Sequence, residues 1–175
     1  MKISEDIVIR STVEADWQAL KAIRLAALLE APTAFGVTHA EAMAYSEDQW
    51  RERAGARGRA RFILAFKNQV AIGMVGYVPN PVADANLIAM WVTPEERGTD
   101  VAESLVQAVK MEVAAQSCSS IVLEVSPENR RAASFYQKQG FAFLPEWEPL
   151  ASHPGIQLQK MQWLNLLEAA RLQQN

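Results

Sequence analysis

The stretch from Leu87 to Val106 carries the first arrangement able to do chemistry. Leu87-Ile88-Ala89-Met90-Trp91-Val92 is an apolar run ending on a β-branched residue; it reads as a buried strand, and Pro94 stops it. Apolar residues then recur at helical spacing through Val101, Leu105, Val109 and Val113. Between strand and helix, Arg97-Gly98-Thr99-Asp100-Val101-Ala102 offers one guanidinium, small side chains and a fresh helix N-terminus, whose first N–H groups have no partner inside the helix. Such an end attracts anions, phosphates above all. The same residues also serve as plain stop and cap signals, with Thr99 capping the helix and Asp100 favouring its positive end.

A second stretch, Val125 to Phe141, sets Asn129, Ala132, Tyr136 and Gly140-Phe141 at fixed intervals. Read alone, Asn129 is a helix cap, and Phe135 and Tyr136 are core aromatics. Together the two stretches resemble the GNAT superfamily of acyl-CoA-dependent N-acyltransferases. Arg97 to Ala102 is similar to that family's R-G-x-G-x-G/A pyrophosphate loop, and Asn129 to Phe141 matches its N-x-x-A-x-x-x-Y-x-x-x-G-F pattern. The motifs stand in the family's order, separated by one helix and one strand, and the resemblance runs from about Ile7 to Trp163.

The resemblance implies a cofactor site and a reaction. Backbone N–H groups of Gly98, Thr99, Asp100, Val101 and Ala102 would hold the pyrophosphate of acetyl-CoA, with Arg97 nearby and Asn129 and Ala132 as further contacts. The backbone of Met90, Trp91 and Val92 would pair with the pantetheine arm and polarise the thioester carbonyl, an effect typically worth ~3 kcal/mol. Tyr136 would protonate the departing thiolate; phenol-to-thiolate transfer is uphill by about 2 kcal/mol at reference pKa values, so its role is partly positional. A lysine-like amine at pH 7 needs roughly 4.6 kcal/mol to free its lone pair. A base, or a water chain, is therefore expected, with Glu41 and Glu124 as candidates. Phe35 and Trp91, with Glu41, are the candidate acceptor-binding residues. Asp100 departs from the family, which more often has glycine there. Facing a phosphate ~6 Å away, its carboxylate would cost roughly 0.7 to 3 kcal/mol; pointing outward, the favoured orientation, it would cost little.

These residues need a scaffold. Ile7 to Arg10 reads as a first strand, Glu14 to Glu30 as a helix burying Trp17, Leu20, Ile23, Ala27 and Leu28, and Thr33 to Glu41 as a loop segment. Ser46-Glu47-Asp48-Gln49 has the form of a capping box that opens a short helix. Arg61 to Phe66 and Val70 to Tyr77 form a hairpin around Lys67-Asn68-Gln69. After the central helix come the strand Ser120 to Val125, a helix from Ala132 to Gln139 stopped by Gly140, and strands Phe141 to Leu144 and Ile156 to Trp163 flanking a Pro145 to Pro154 loop. Leu164 to Gln173 reads as a terminal helix, serving either a homodimer or the sheet edge. The order is that of an α/β fold. The resemblance makes it a mixed, mostly antiparallel seven-stranded sheet flanked by helices, with a V-shaped parting between strands 4 and 5.

Composition bounds the rest. At 175 residues, half of them hydrophobic and 21% charged, the chain is expected to be one globular domain over 1–175, its core about 7–163. A net charge of −3, with Arg51 to Arg61 the sole basic stretch and Glu52, Gly55 and Gly58 within it, argues against a nucleic-acid partner. No apolar run approaches the ~20 residues of a membrane span. Met1 to Asp6 lacks a signal-peptide core and Cys118 stands alone, so a cytoplasmic location is expected. His39 and His153 lack metal-ligand spacing, and no metal is expected.

The expected function is acetyl transfer from acetyl-CoA to a primary amine, on a small molecule or a peptide, by direct attack. The acceptor site is expected in Ala31 to Arg53 and Pro145 to Pro154. A non-catalytic acyl-CoA sensor or interaction domain on the same fold is the alternative.

Overall fold

A computed structural model of the chain describes residues 6–80, 84–167 and 170. The strands are β1 (Ile7–Ser11), β2 (Arg61–Lys67), β3 (Val70–Val78), β4 (Ala85–Val92), β5 (Ser120–Val125), β6 (Ala142–Leu150) and β7 (His153–Leu164). They form one seven-stranded sheet in the order β1-β2-β3-β4-β5-β7-β6, antiparallel except between β4 and β5. The helices are α1 (Trp17–Glu30), α2 (His39–Met43), α3 (Glu47–Ala54), α4 (Val101–Ala115) and α5 (Arg130–Lys138).

The central strands read as continuous apolar runs because both sheet faces are covered. Along β2, Phe62, Leu64 and Phe66 enter the core beneath α1 and α3, whereas Ile63 and Ala65 enter the core beneath α4. The stripe Leu20, Ile23, Ala27 and Leu28 fills the first core, and Val101, Leu105, Val109 and Val113 fill the second. Asn68 and Gln69 both have positive φ, 49° and 66°, the backbone that matches a two-residue hairpin turn to strand twist. α4 comes close to the sheet at Gly73, where a Cβ would stand 2.9 Å from Leu105 Cδ1 and 3.1 Å from Val101 Cγ1.

Several expectations need correction. α1 begins at Trp17, after a separate 3-10 turn over Glu14–Asp16, because the Asp16 carboxylate takes the Val13 N–H at 2.8 Å and the Arg10 guanidinium. Thr33 to Glu41 is not a plain loop: a 3-10 turn at Pro32–Ala34 is followed by α2, capped reciprocally by Thr38 and Glu41. Pro145 to Pro154 is mostly strand. β6 lies at the sheet edge, where a missing N–H costs no ladder bond, so Pro145 and Pro149 sit within it and only Ala151 and Ser152 make the turn. β7 runs through Leu164, Leu166 and Leu167 are helical, and residues 168, 169 and 171–173 of the expected terminal helix lie outside the described residues. Among the described residues no helix is long and apolar enough to cross a membrane.

Candidate active site

β4 and β5 pair at only two positions, Ala85 with Ile121 and Asn86 with Val122, and then separate. What separates them begins within β4. Its register with β3 slips between Ile88 and Trp91, a bulge in which Ala89 takes φ +54°, a conformation costly to residues with a Cβ. The parting opens a cavity of about 440 Å³. Ile88, Ala89 and Met90 form one wall, Glu124, Val125 and Ser126 the other, and Phe35 closes an end. Met90 therefore faces the cavity, whereas the Trp91 ring is buried in the core beneath α1.

Beyond the end of β4, the turn before α4 leaves its donors free. The N–H groups of Gly98, Asp100, Ala102 and Glu103 have no partner among the described residues, and those of Thr99 and Val101 make only 3.4 Å contacts, to the Glu96 carbonyl and the Thr99 hydroxyl. Gly98 holds φ +83°, which turns successive N–H groups to one side. Clustered unpartnered donors at the start of a 15-residue helix fit a pyrophosphate. Asp100 occupies the N-cap position, partly exposed, and its carboxylate caps nothing. Arg97 is directed elsewhere: its Nη1 and Nη2 donate to Glu30 at 2.9 and 2.8 Å, and its Nε donates to the Val92 carbonyl at 3.2 Å.

Tyr136 and Asn129 reach the cavity from the α5 segment. Asn129 caps α5, its side chain accepting from the Ala132 N–H at 3.2 Å, and Ala132 lines the cavity too. Two turns of helix later Tyr136 sits edge-on to Phe135 and Phe141, and burial pushes its phenol well above the ordinary value. The phenol is neutral at physiological pH and remains a proton donor. Opposite, Glu124 is half-buried; burial first, then the charge of Glu148, raises its carboxyl.

Glu41 stands apart from the other candidates. Its carboxylate accepts from the Thr38 N–H at 2.7 Å and the Thr38 hydroxyl at 2.8 Å, bonds that hold its pKa below the ordinary value, and it lies on the exposed side of α2, outside the cavity lining. The two regions expected to recognise the acceptor do meet, where the Ser152 hydroxyl donates to the Phe35 carbonyl at 2.5 Å. Sequence reasoning did not single out Glu30, Ser126 or Glu128. Ser126 and Glu128 flank the motif that begins at Asn129, a positional signal; Glu30 reaches the site only through tertiary contact. Among the described residues no group of three His, Cys, Asp or Glu side chains could hold a metal ion.

A sheet parted along its parallel junction, with free N–H groups at the start of the helix that follows β4 and a buried tyrosine lining the cavity, defines the acyltransferase class of fold. The sequence signature of the Acetyltransferase (GNAT) family matches residues 23–141, and the chain belongs to that family. It is an acetyltransferase by family, hence an enzyme. Three solved structures share the fold. An acetyltransferase of the GNAT family from Streptococcus pneumoniae is 17% identical, with 90% of this chain and 98% of that one covered at a TM-score of 0.76. An N-acetyltransferase from Thermoplasma acidophilum in complex with coenzyme A is 17% identical over 93% and 99%, with a TM-score of 0.69. A ribosomal-protein-alanine N-acetyltransferase from Brucella melitensis is 19% identical over 90% and 99%, with a TM-score of 0.70. No curated protein matches the sequence.

Proposed function

We propose that the chain transfers an acetyl group from acetyl-CoA to the primary amine of an acceptor that enters between the Phe35 segment and the β6–β7 turn. The observation that carries this reading is the cavity between β4 and β5, lined by Tyr136 and Glu124, together with the unpartnered N–H groups at the start of α4, the helix that follows β4. The coenzyme A complex of the Thermoplasma relative supports the choice of donor.

Acetyl-CoA supplies an activated acetyl thioester. The N–H groups from Gly98 to Glu103 would hold its pyrophosphate, and the bulged Ala89–Met90 backbone would meet the pantetheine arm and the thioester carbonyl. Glu124 takes a proton from the incoming ammonium, freeing the lone pair that attacks the carbonyl carbon. As the new C–N bond forms and the C–S bond breaks, the sulfur carries away the bonding pair and the Tyr136 phenol gives it a proton; the attacking nitrogen then loses its second proton, which restores the phenol by way of solvent, and Glu124 releases the first to solvent. Glu124 suits the first role because burial raises its proton affinity towards that of the amine. Glu41 is the weaker candidate for base, occupied by its cap.

Asp100, standing where the loop motif more often has glycine, favours a second reading: a domain that binds acyl-CoA without turning it over. Calorimetric titration with acetyl-CoA, then thiol release against a panel of amines, tests both. Micromolar binding with amine-dependent thiol release is expected; binding without release from any amine would favour the sensor, and absence of binding in wild type and Asp100→Gly alike would overturn both.

A further inference from the structure

Glu124 lines the cavity from β5, and the residue paired with it on β7 is Lys160. Side chains paired in this way across an antiparallel ladder share one face, with Cβ atoms about 4.5–5.5 Å apart. A carboxylate and an ammonium so placed are within reach of an ion pair. Among the described residues, however, Glu124 has no ion pair or hydrogen bond of its side chain, and Lys160 bonds instead to Glu146 of β6, across the other edge of β7. That hydrogen bond chiefly raises the Lys160 pKa; the charges of Glu124 and Asp84 add less.

The choice of partner is built into β6. Phe143 pairs with Met161 and Trp147 with Gln159, so three residues, Leu144, Pro145 and Glu146, stand opposite Lys160 alone. Pro145 has no N–H to leave unpaired in this bulge, and the Gln159 side-chain amide donates to the Leu144 carbonyl at 2.8 Å. Glu148 pairs with Leu158, which lines the cavity, so Glu148, Leu158, Lys160 and Glu124 lie on one face of the sheet. The charged groups that face Glu124 are therefore Lys160 from β7, Glu146 and Glu148 from β6, and Glu128 along the cavity wall. Tyr136 is neutral, and β4 and the Phe35 segment bring only uncharged side chains to the cavity. With Lys160 engaged by Glu146, burial and then the charge of Glu148 hold the Glu124 carboxyl above its ordinary value, against the opposing charge of Lys160.

Resting on the acetyl-transfer reading, we propose that Glu146 is a positioning residue for that reaction: by holding Lys160 it keeps an internal ammonium off Glu124 and leaves that carboxylate to the ammonium of the acceptor. Lys160 and the acceptor carry the same functional group. Without Glu146 the chain's own lysine would take the acceptor's place at the base, and a base already paired with a fixed cation has less affinity for a proton. Neither Glu146 nor Lys160 has to touch the acceptor, since both act through Glu124, which lines the cavity.

The first test reads Glu124 without catalysis. Its carboxyl 13C resonance, identified by its loss in Glu124→Gln, is titrated with pH in the labelled chain. The side chains of Glu146 and Lys160 are 56% and 30% exposed, so substituting them leaves the core intact. Glu146→Gln should lower the Glu124 midpoint by about one pH unit, and by more than Glu148→Gln does, although the charge of Glu148 weighs more on Glu124 than that of Glu146. Lys160→Gln should raise the midpoint, and the double variant Glu146→Gln, Lys160→Gln should return it to the wild-type value. A fall in Glu146→Gln no larger than in Glu148→Gln, or a double variant that stays low, overturns the proposal. The second test follows amine-dependent thiol release from acetyl-CoA. In Glu146→Gln the acidic limb of kcat/KM should move to lower pH while its plateau falls by about threefold to tenfold, and removing Lys160 from the same chain should restore both. A limb that stays in place while turnover continues overturns the role of Glu146 and leaves the acetyl-transfer reading standing. Midpoints in the expected order with no amine turned over by wild type would uphold the exchange of partners and overturn the acetyl-transfer reading.

Discussion

Glu30 and Arg97 stand 67 positions apart and form a two-pronged ion pair, the Glu30 carboxylate oxygens 2.9 and 2.8 Å from the two Arg97 Nη atoms. The Trp91 Nε1–H adds a third bond, 2.9 Å to Glu30. The end of α1, the end of β4 and the start of the anion-binding turn are thereby tied together, and the phosphate site is left to the backbone. The Arg97 hydrogen bond chiefly, with that of Trp91, holds the Glu30 carboxyl at about 2, against an ordinary 4.5.

A carboxyl whose pKa is depressed on folding contributes stability above its unfolded value and loses it as pH falls through the folded one. Glu30→Gln should therefore cost stability at pH 7, about 1 kcal/mol for a pair this accessible, and nothing near pH 2. Urea unfolding of both proteins across that range checks it. A cost that persists unchanged to pH 2 would assign the effect to packing.

Replacing Tyr136 by Phe keeps the aromatic contacts with Phe135 and Phe141 and removes the proton donor. A loss of about a hundredfold in kcat is expected, with the dissociation constant for acetyl-CoA nearly unchanged. Because burial pushes the phenol up, its ionisation should contribute no basic limb between pH 7 and 10, and the two rate profiles should run parallel. Full turnover by the Phe variant would leave thiolate protonation to water.

What the sequence discloses is local or periodic. Ser46 and Gln49 cap α3 as their spacing predicts, and Gly140 ends α5 at φ +87°. The parting of β4 from β5 is implied only by the resemblance that the two motifs carry, and not by any local pattern in either strand. Thr38 and Glu41 carry the same spacing as a capping box, so α2 was legible and the reading of Glu41 as a free base competes with that local signal. Pro145 and Pro149 mark a loop only if their strand is central, and strand order is a tertiary property. Glu30 on Arg97 and Arg24 on Phe35 belong to no motif; only the packing of α1 across the sheet brings these groups together.

Glu124 gives a prediction of opposite sign to Glu30. Its carboxyl is raised on folding, so its contribution to stability is present below its ordinary 4.5 and is lost as pH rises through the higher folded value. At pH 7 the ionised group weakens the fold. Glu124→Gln should melt higher than wild type at pH 7, with the gap closing towards pH 4, while kcat/KM falls and loses its acidic limb. Calorimetric melting and an initial-rate pH profile check the two halves. A Gln variant that melts lower at pH 7 would contradict the electrostatic account.

The turn before α4 can be perturbed in place or through its support. Gly73 lies beneath α4, and its Cβ in Gly73→Ala would meet Leu105 and Val101 at 2.9 and 3.1 Å, closer than side chains pack. The Leu105 and Val101 side chains or the helix that carries them must give, at a cost of about 1–3 kcal/mol. Val101 is the first residue of α4, so where the helix moves the free N–H groups move with it, and acetyl-CoA affinity should then fall along with stability. Gly98→Ala is the complement: a Cβ there meets nothing within 4 Å, but φ +83° disfavours it by about 1–2 kcal/mol and the strain is confined to the turn. Chemical unfolding and acetyl-CoA titration of both variants separate the routes. If Gly73→Ala lowers stability and leaves the affinity as it was, the turn is set by its own backbone and not by the packing of α4 on β3.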